Sequence, residues 1–114
     1  MNGLPSDFST AFICGRTLNS LVVGRYVVNL FFSEDCVISV EGAVSLDKRE
    51  RIDLPSSILY LFQVIDRKVV SASSTTEGTL SLVFDSGETL HIYDSNERHE
   101  SYNISVPGKI LAVV

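Results

Sequence analysis

The chain has 114 residues, which is enough for one domain but not for two independent hydrophobic cores. Hydrophobic residues make up 45% and charged residues 20%, so the composition excludes collagen-like and disordered chains. Nine Lys and Arg against 14 Asp and Glu give a formal net charge of −5. Because phosphate groups are bound by clustered Lys and Arg, this charge argues against nonspecific binding to nucleic acid or to an anionic membrane.

No targeting segment is predicted. The N-terminus lacks the basic and apolar regions of a signal peptide, and no stretch reaches 18 consecutive apolar residues. A cytoplasmic location is therefore expected, in which Cys14 and Cys36 would be reduced thiols, a disulfide between them being the less favoured alternative. Cys14 follows Ile13 and Cys36 precedes Val37, and both neighbours are branched apolar residues. Both cysteines are therefore expected to be buried.

In chain order, residues 1–14 are predicted to be a loosely ordered lead-in and residues 15–114 a single β-rich domain. β-prone runs at 16–23 and 26–32 come first, and residues 36–44 are predicted to be the return strand of a hairpin. Residues 45–55 are a polar break whose mixed charges indicate a solvated loop. Further strands are predicted at 68–74, 79–84, 89–93, 100–106 and 109–114.

One helix is predicted after the polar break. Pro55-Ser56-Ser57 is a typical helix-start signal. Apolar residues follow it at the spacing i, i+1, i+3, i+4, i+7, namely Ile58, Leu59, Leu61, Phe62 and Ile65. Such a stripe is typical of a core helix that packs on a sheet.

The two predicted hairpins match each other at an offset of 52 residues. The inward positions Val28, Leu30, Phe32, Ile38 and Val40 align with Leu80, Leu82, Phe84, Leu90 and Ile92. The match indicates either two copies of a three-stranded unit, with the helix between them and two strands appended, or a chance likeness of alternating strands. A true repeat would favour a β-sandwich or an open barrel with pseudo-twofold symmetry.

Three segments carry a resemblance to a known family: residues 15–32, residues 78–90 (GTLSLVFDSGETL) and residues 99–113. They resemble the DUF6188 family of small bacterial proteins, whose pattern has a G-x-L-x-L-x-F-x-D-G-x-x-L hairpin, a Y-E-[AS]-W strand and a P-G-G turn. This chain has Tyr102 in place of the Trp, His99 in place of the Tyr and Lys109 in place of the second Gly. The resemblance covers residues 15–114 and implies no established activity. Some small acidic families of this type lie beside toxin genes, which implies an immunity role by association.

The sequence contains none of the common catalytic or cofactor patterns. A P-loop, a dinucleotide fingerprint, zinc-ligand spacing and a nucleophile elbow are all absent. No cofactor and no metal site is predicted, and a non-enzymatic role is favoured. A Cys–His nucleophile would need Cys14 or Cys36 beside His91 or His99, in an open and electropositive site.

Four outward-facing residues form the first candidate binding site. At the offset of 52, Ser39 and Glu41 correspond to His91 and Tyr93 on the two return strands. A Glu–His pair there could do acid–base work or bind a polar ligand. The simpler interpretation is that all four are solvent-facing residues of antiparallel strands.

The strand over 100–106 supplies the second candidate. Glu100 and Tyr102 share a face with Ile104, which is expected to be buried. We therefore expect Tyr102 to be a core or rim aromatic whose hydroxyl has a partner, and Glu100 to pair with Arg16 or Arg25. A buried pair that stabilises the sheet is the alternative to a ligand site.

The sequence thus predicts a mostly β fold, an antiparallel sandwich or open barrel of about eight strands with one packed α-helix. The leading functional hypothesis is a non-enzymatic, immunity-like protein-interaction module that masks a basic, toxin-like partner. The alternatives are a small-molecule binding module with a pocket between sheet and helix, and a hydrolase-like enzyme that uses Glu41 and His91. A further alternative is a homodimer that pairs through Val27 and Phe31, provided that the helix does not cover these residues.

Overall fold

The computed structural model describes residues 4, 8–47, 52–53, 58–94 and 101–114. These residues form two five-stranded antiparallel sheets, which confirms the predicted mostly β sandwich. In chain order the elements are β1 (Leu18–Val23), β2 (Val28–Phe32), β3 (Cys36–Val40), β4 (Ala43–Leu46), β5 (Ile52–Asp53), α1 (Ile58–Leu61), β6 (Val69–Ser74), β7 (Leu80–Phe84), β8 (Thr89–Ile92), β9 (Tyr102–Val106) and β10 (Lys109–Val113). Sheet 1 has the strand order β1-β2-β3-β9-β10, and sheet 2 has the order β5-β4-β8-β7-β6.

The alternation of apolar residues along the strands determines which face of each sheet is buried. In β2, β3 and β7 every second residue is buried and the residues between them are half-buried. The inward side chains of both sheets belong to one hydrophobic core. The inward positions predicted for the two hairpins are confirmed, and they are Val28, Leu30, Phe32, Cys36, Ile38, Val40, Leu80, Leu82, Phe84, Leu90 and Ile92.

The two halves of the chain repeat one five-stranded pattern, which extends the three-stranded repeat that the sequence suggests. β1 pairs with β2 across a register shift between Leu18 and Ser20. β6 pairs with β7 across a register shift at the equivalent position, between Val69 and Ser71. A shared register and a shared β-bulge are specific features of backbone geometry, and they favour a true repeat over a chance likeness.

Reciprocal hydrogen bonds join the two halves. The N–H of Gly15 donates to the carbonyl oxygen of Val69 at 2.8 Å, and the N–H of Asp66 donates to that of Leu18 at 2.7 Å. Residues 15 and 66 are equivalent in the repeat, as are residues 18 and 69. The halves are therefore related by a pseudo-twofold axis that passes between the two sheets.

The return strand predicted over residues 36–44 is in fact two strands in different sheets. β3 ends at Val40 in sheet 1, and β4 begins at Ala43 in sheet 2, where it pairs with β8. Between them, the N–H groups of Glu41 and Gly42 both donate to the carbonyl oxygen of Ser101, at 2.8 and 3.1 Å. β9 makes the reciprocal crossover and pairs with β3. Each half thus contributes its fourth strand to the sheet of the other half.

The predicted helix is much shorter than its apolar stripe suggests. α1 is one turn, and a 3₁₀ helix over Phe62–Val64 follows it. Leu61 and Val64 are fully buried, whereas Leu59 and Phe62 are 70% and 51% exposed. Because a 3₁₀ helix has three residues per turn, it changes which residues face the core, and the spacing expected of an α-helix no longer applies. The helix-start signal at residues 55–57 lies outside the described residues.

The polar break predicted over residues 45–55 is wrong at its start, because β4 continues to Leu46 and β5 follows at 52–53. All four residues of β4 are buried, and α1 packs against this strand.

Cys36 is a buried free thiol, as predicted, but Cys14 is exposed because its neighbour Ile13 is the residue that enters the core. The part of the chain that the structure describes has no helix long and apolar enough to cross a membrane.

Candidate functional site

His91 and Tyr93 lie together on the outer face of sheet 2. His91 Nδ1 is hydrogen-bonded to Ser81 Oγ at 2.7 Å, and Tyr93 Oη to Ser45 Oγ at 2.7 Å. The two rings are 6.3 Å apart between centroids. An activated serine nucleophile needs a His as base and a third group that orients the imidazole. The Ser81–His91 contact supplies only the first two. Among the described residues, no carboxylate is hydrogen-bonded to His91, so the arrangement is a polar cross-strand cluster.

The other two members of this predicted site, Ser39 and Glu41, belong to the sheet 1 half of the repeat. Ser39 Oγ donates to Asn29 Oδ1 at 2.5 Å on the outer face of sheet 1. Glu41 is exposed in the crossover after β3. Because the pseudo-twofold axis relates one sheet to the other, equivalent residues come to lie on opposite outer faces. The structure therefore does not bring Glu41 to His91, which is the pair that the hydrolase-like alternative requires.

Tyr102 is a core residue with a partnered hydroxyl. Its side chain on β9 is fully buried, and its hydroxyl donates to the carbonyl oxygen of Gly78 at 2.6 Å. Burial raises the pKa of the Tyr102 hydroxyl, and the negative charge of Asp94 raises it further. The side chain thus serves the fold rather than an exposed binding site.

Glu100, the second residue of that candidate, lies outside the described residues. The two arginines considered as its partners make other contacts. Arg16 Nη1 donates to the carbonyl oxygen of Ser33 at 2.6 Å. The guanidinium of Arg25 lies 5.1 Å from the centroid of the Tyr26 ring, within the range of a cation–π contact.

The contact between α1 and sheet 2 is where a small-molecule pocket would have to lie. Leu61 and Val64, from the helical segment, are fully buried in the core, and Ser45 on β4 is only 3% exposed. The described side chains at this contact are therefore almost wholly inaccessible to solvent. Within the same residues, no group of three or more His, Cys, Asp or Glu side chains could hold a metal ion.

One end of the sandwich, called the hairpin end below, contains many carboxylates. The β2–β3 and β7–β8 turns meet there, because the N–H of Ser33 donates to the oxygen of Thr17 at 2.9 Å and the N–H of Asp85 to that of Lys68 at 2.8 Å. Thr17 and Lys68 form an antiparallel bridge between the two sheets. The ionisable residues that the structure describes at the hairpin end are the acids Glu34, Asp35, Asp47, Asp66, Asp85 and Glu88 and the cations Arg16, Arg67 and Lys68.

Four acids of the hairpin end have left-handed backbone. Glu34, Asp35, Asp47 and Asp66 have φ of 61°, 60°, 58° and 69°, and no other described residue except glycine has a positive φ. Asp66 takes the place that Gly15, with φ of 87°, has in the other half. Glycine and Asn adopt this conformation at lower cost than Glu does. Asp also adopts this conformation readily, so Glu34 is the strained member of the four, and strained positions of this kind are found at functional sites.

The sequence analysis missed the hairpin end. Its carboxylates come from four separate segments of the chain, and only the pseudo-twofold packing of the halves brings them together. One signal was available: the turn over residues 33–35 has no Gly or Asn, the usual residues of a tight hairpin.

Part of the outer face of sheet 1, called the sheet-1 face, has no charged side chain. It consists of two rows that cross all five strands: Ser20, Phe31, Val37, Ser105 and Ile110 in one row, and Val22, Asn29, Ser39, Asn103 and Val113 in the other. Because α1 packs against β4 of sheet 2, it does not cover this face. The homodimer through Val27 and Phe31 stays a prediction, which the position of α1 on the other sheet does not exclude.

Residues 10–114 match the model of a family of unknown function, DUF6188, which confirms the resemblance seen in the hairpin and in the last two strands. No curated protein and no solved structure matches the chain at a significant level.

Proposed function

We propose that this chain, which belongs to the DUF6188 family, is a non-enzymatic protein-interaction module that binds and masks a basic partner protein with its hairpin end. The observation that carries the proposal is the group of four carboxylates held on left-handed backbone, those of Glu34, Asp35, Asp47 and Asp66. Gly or Asn would suit this backbone without a charge, and each of the four positions has a carboxylate instead.

Arg16, one of the described cations of the hairpin end, does not neutralise the Glu34 carboxylate. The Arg16 side chain is 17% exposed, and its Nη1 donates to the carbonyl oxygens of Ser33 and Glu34, at 2.6 and 3.1 Å. Its distance to the Glu34 carboxylate is 3.9 Å, and that side chain is 85% exposed. An ion pair this long and this exposed contributes little, so the Glu34 carboxylate stays available to an external cation.

A basic partner is the chemistry that this end fits. Among the described residues of this end, six carboxylates stand against three cations, and the chain has a net charge of −5; such an excess of negative charge favours association with a positive surface. Such binding weakens as salt is added, because salt screens exposed charges. An immunity protein that blocks a basic toxin would use a surface of this kind, and we include that role in the proposal.

The test compares two variants that lose the same charge at opposite ends of the sandwich. Glu34→Gln with Asp35→Asn neutralises the hairpin end, and both new residues keep the size of the old ones. The control, Glu41→Gln with Glu77→Gln, removes two exposed carboxylates at the opposite end of the strands. The tagged wild-type chain is first used to isolate its partner from the native lysate, and the purified partner is then titrated with each variant at low and high salt.

We expect a basic partner in stoichiometric amount, whose affinity for the Glu34/Asp35 variant is about tenfold lower while the control changes less than about twofold. High salt should weaken the wild-type complex. Equal loss in both variants, a complex that is indifferent to salt, or the absence of any stoichiometric partner would overturn the proposal.

A further inference from the structure

We infer that β10, an edge strand of sheet 1, is the docking site for an extended apolar segment of a partner polypeptide, which adds one more strand to the sheet. β10 pairs with β9 on one side, and its other side is the margin of the sheet. The inference is independent of the proposed function, because it rests on a different element and on backbone hydrogen bonds rather than on charge.

The outer edge of β10 has backbone groups that can pair with another strand. Val114 and Tyr102 exchange two hydrogen bonds, with N–O distances of 2.8 and 3.2 Å. Because successive residues of an antiparallel strand direct their backbone groups to opposite edges, the N–H and C=O of Val113 point away from β9. Neither group is hydrogen-bonded to any residue that the structure describes. A row of such groups is a template for strand addition.

The side chains of β10 are those of a strand with neighbours on both sides. Residues 110–114 (ILAVV) are all apolar. Ile110 and Val113 lie on the sheet-1 face and are 68% and 39% exposed, whereas Leu111 and Ala112 are half-buried and pack against the hydrophobic core. A strand that is apolar on both faces is typical of the interior of a sheet, and edge strands usually have charged residues that prevent pairing. An added apolar strand would reduce the exposure of Ile110 and Val113.

The other sheet edges are shortened or bonded to segments of the same chain. β5 has only two residues. On β6, the carbonyl oxygen of Ala72 accepts a hydrogen bond from Thr10 Oγ1 at 3.0 Å. On β1, the carbonyl oxygen of Leu18 accepts one from the N–H of Asp66 at 2.7 Å. β10 has five residues, and no described segment bonds to its outer edge, so strand addition meets no competitor there.

The bulge in β10 favours a flexible segment over a second folded copy. The register of β10 on β9 shifts between Ile110 and Ala112, so the strand bends at this point. A second copy would have to align its own bent β10 with this bend, whereas a flexible segment can adjust its backbone to it. Lys109, which is exposed, is the one charged residue of β10. In an antiparallel pair it fits a carboxylate at the C-terminal end of the added segment.

The test uses a synthetic peptide of alternating Val and Thr that ends in Glu, with both termini blocked. Its binding to the full chain is followed by NMR of the backbone amides. Val113→Pro removes the outward N–H without removing a bond to β9, and proline is tolerated at such edge positions.

Val23→Pro on β1, at the opposite edge of sheet 1, is the matched control. The N–H of Gly24 donates to the carbonyl oxygen of Val27 at 2.7 Å, so by the same alternation the N–H of Val23 points away from β2. A second control is the same peptide with its amides N-methylated, which can bury apolar side chains but cannot donate backbone hydrogen bonds. Circular dichroism verifies that each variant is folded.

We expect saturable binding with a dissociation constant below about 1 mM, and hydrogen exchange of the Val113 amide at least about tenfold slower in the complex. Val113→Pro and N-methylation of the peptide should each weaken binding at least about tenfold, and Val23→Pro less than about twofold. If Val113→Pro does not fold, the N-methylated peptide decides the result.

Three results would overturn the inference. The first is the absence of saturable binding, and the second is equal binding of the N-methylated peptide or equal loss in Val23→Pro. The third is dimerisation of the chain without peptide that Val113→Pro abolishes, which would assign the edge of β10 to a second copy.

Discussion

Gly78→Ala should destabilise this protein more than the same change at any open glycine. Gly78 has a φ of +103°, and a Cβ there would lie 2.5 Å from Asp94 Cβ and 3.1 Å from Val114 Cγ1. Its carbonyl oxygen also accepts the hydrogen bond of the buried Tyr102 hydroxyl. A shift of this backbone to relieve the clash would therefore disturb a buried hydrogen bond as well.

A comparison with Gly87→Ala separates the free-energy cost of the Cβ clash from the cost of placing Ala at a positive φ. Gly87 has a similar φ, +92°, but no atom lies within 4 Å of where its Cβ would be. An Ala at positive φ costs about 1–2 kcal/mol at either site. Overpacking against Asp94 and Val114 adds about 1–3 kcal/mol at Gly78 alone. We therefore expect losses of about 2–5 kcal/mol for Gly78→Ala and about 1–2 kcal/mol for Gly87→Ala.

Urea unfolding followed by circular dichroism measures both free energies. At about 4 °C for each kcal/mol, the melting temperature should fall by about 8–20 °C for Gly78→Ala and about 4–8 °C for Gly87→Ala. The difference between the two variants is the quantity that matters. If Gly78→Ala is no more destabilising than Gly87→Ala, then the close packing of Gly78 on Asp94 and the last residue is wrong.

Three further results are expected. Tyr102→Phe should lose about 1–3 kcal/mol in urea unfolding, because it leaves the buried carbonyl of Gly78 without its donor; an unchanged midpoint would contradict that hydrogen bond. Burial raises the pKa of the Cys36 thiol, so the folded state keeps a proton that the unfolded state releases above about pH 8.5. Stability should thus fall as the pH rises from about 8.5 through the folded-state pKa, and comparing Cys36→Ala with the wild type at several pH values should show a smaller fall in the variant. Glu34→Gly should raise the free energy of unfolding by about 0.5–1 kcal/mol, since glycine adopts the left-handed backbone without a Cβ clash, and should weaken partner binding in the same protein.

Much of the architecture follows from the sequence because it depends on neighbours in the chain. Alternation along residues 28–40 and 80–92 determines the inward faces, and the offset of 52 between these segments indicates the internal repeat. Tyr102 lies on the same face of its strand as Ile104, so its burial also follows from the sequence. A buried hydroxyl in turn needs a hydrogen-bond partner. These features need only the two-residue period of a strand and the cost of burying an unpaired polar group.

The candidate sites depend on which strands become neighbours, and that is a tertiary property. Nothing in the pattern over residues 36–46 shows that the chain leaves one sheet for the other, because an inward residue alternates in the same way in either sheet. Ser39 and His91 are equivalent by the offset but lie apart, because β3 belongs to sheet 1 and β8 to sheet 2. The bridge between Thr17 and Lys68 brings the carboxylates of the hairpin end together.

The sequence by itself determined the β class, the inward residues of the two hairpins and the resemblance to the family, and it indicated the repeat without deciding it. Tertiary structure alone decided the exchange of the fourth strands, the shortening of the helix to one turn and the different character of the two outer faces. The physical reason is the range of the interactions: local patterning follows from backbone geometry, whereas strand exchange depends on how two equivalent apolar faces pack against each other. Two halves with the same strand pattern can pair within themselves or with each other while burying the same residues, so only the folded chain shows which pairing occurs.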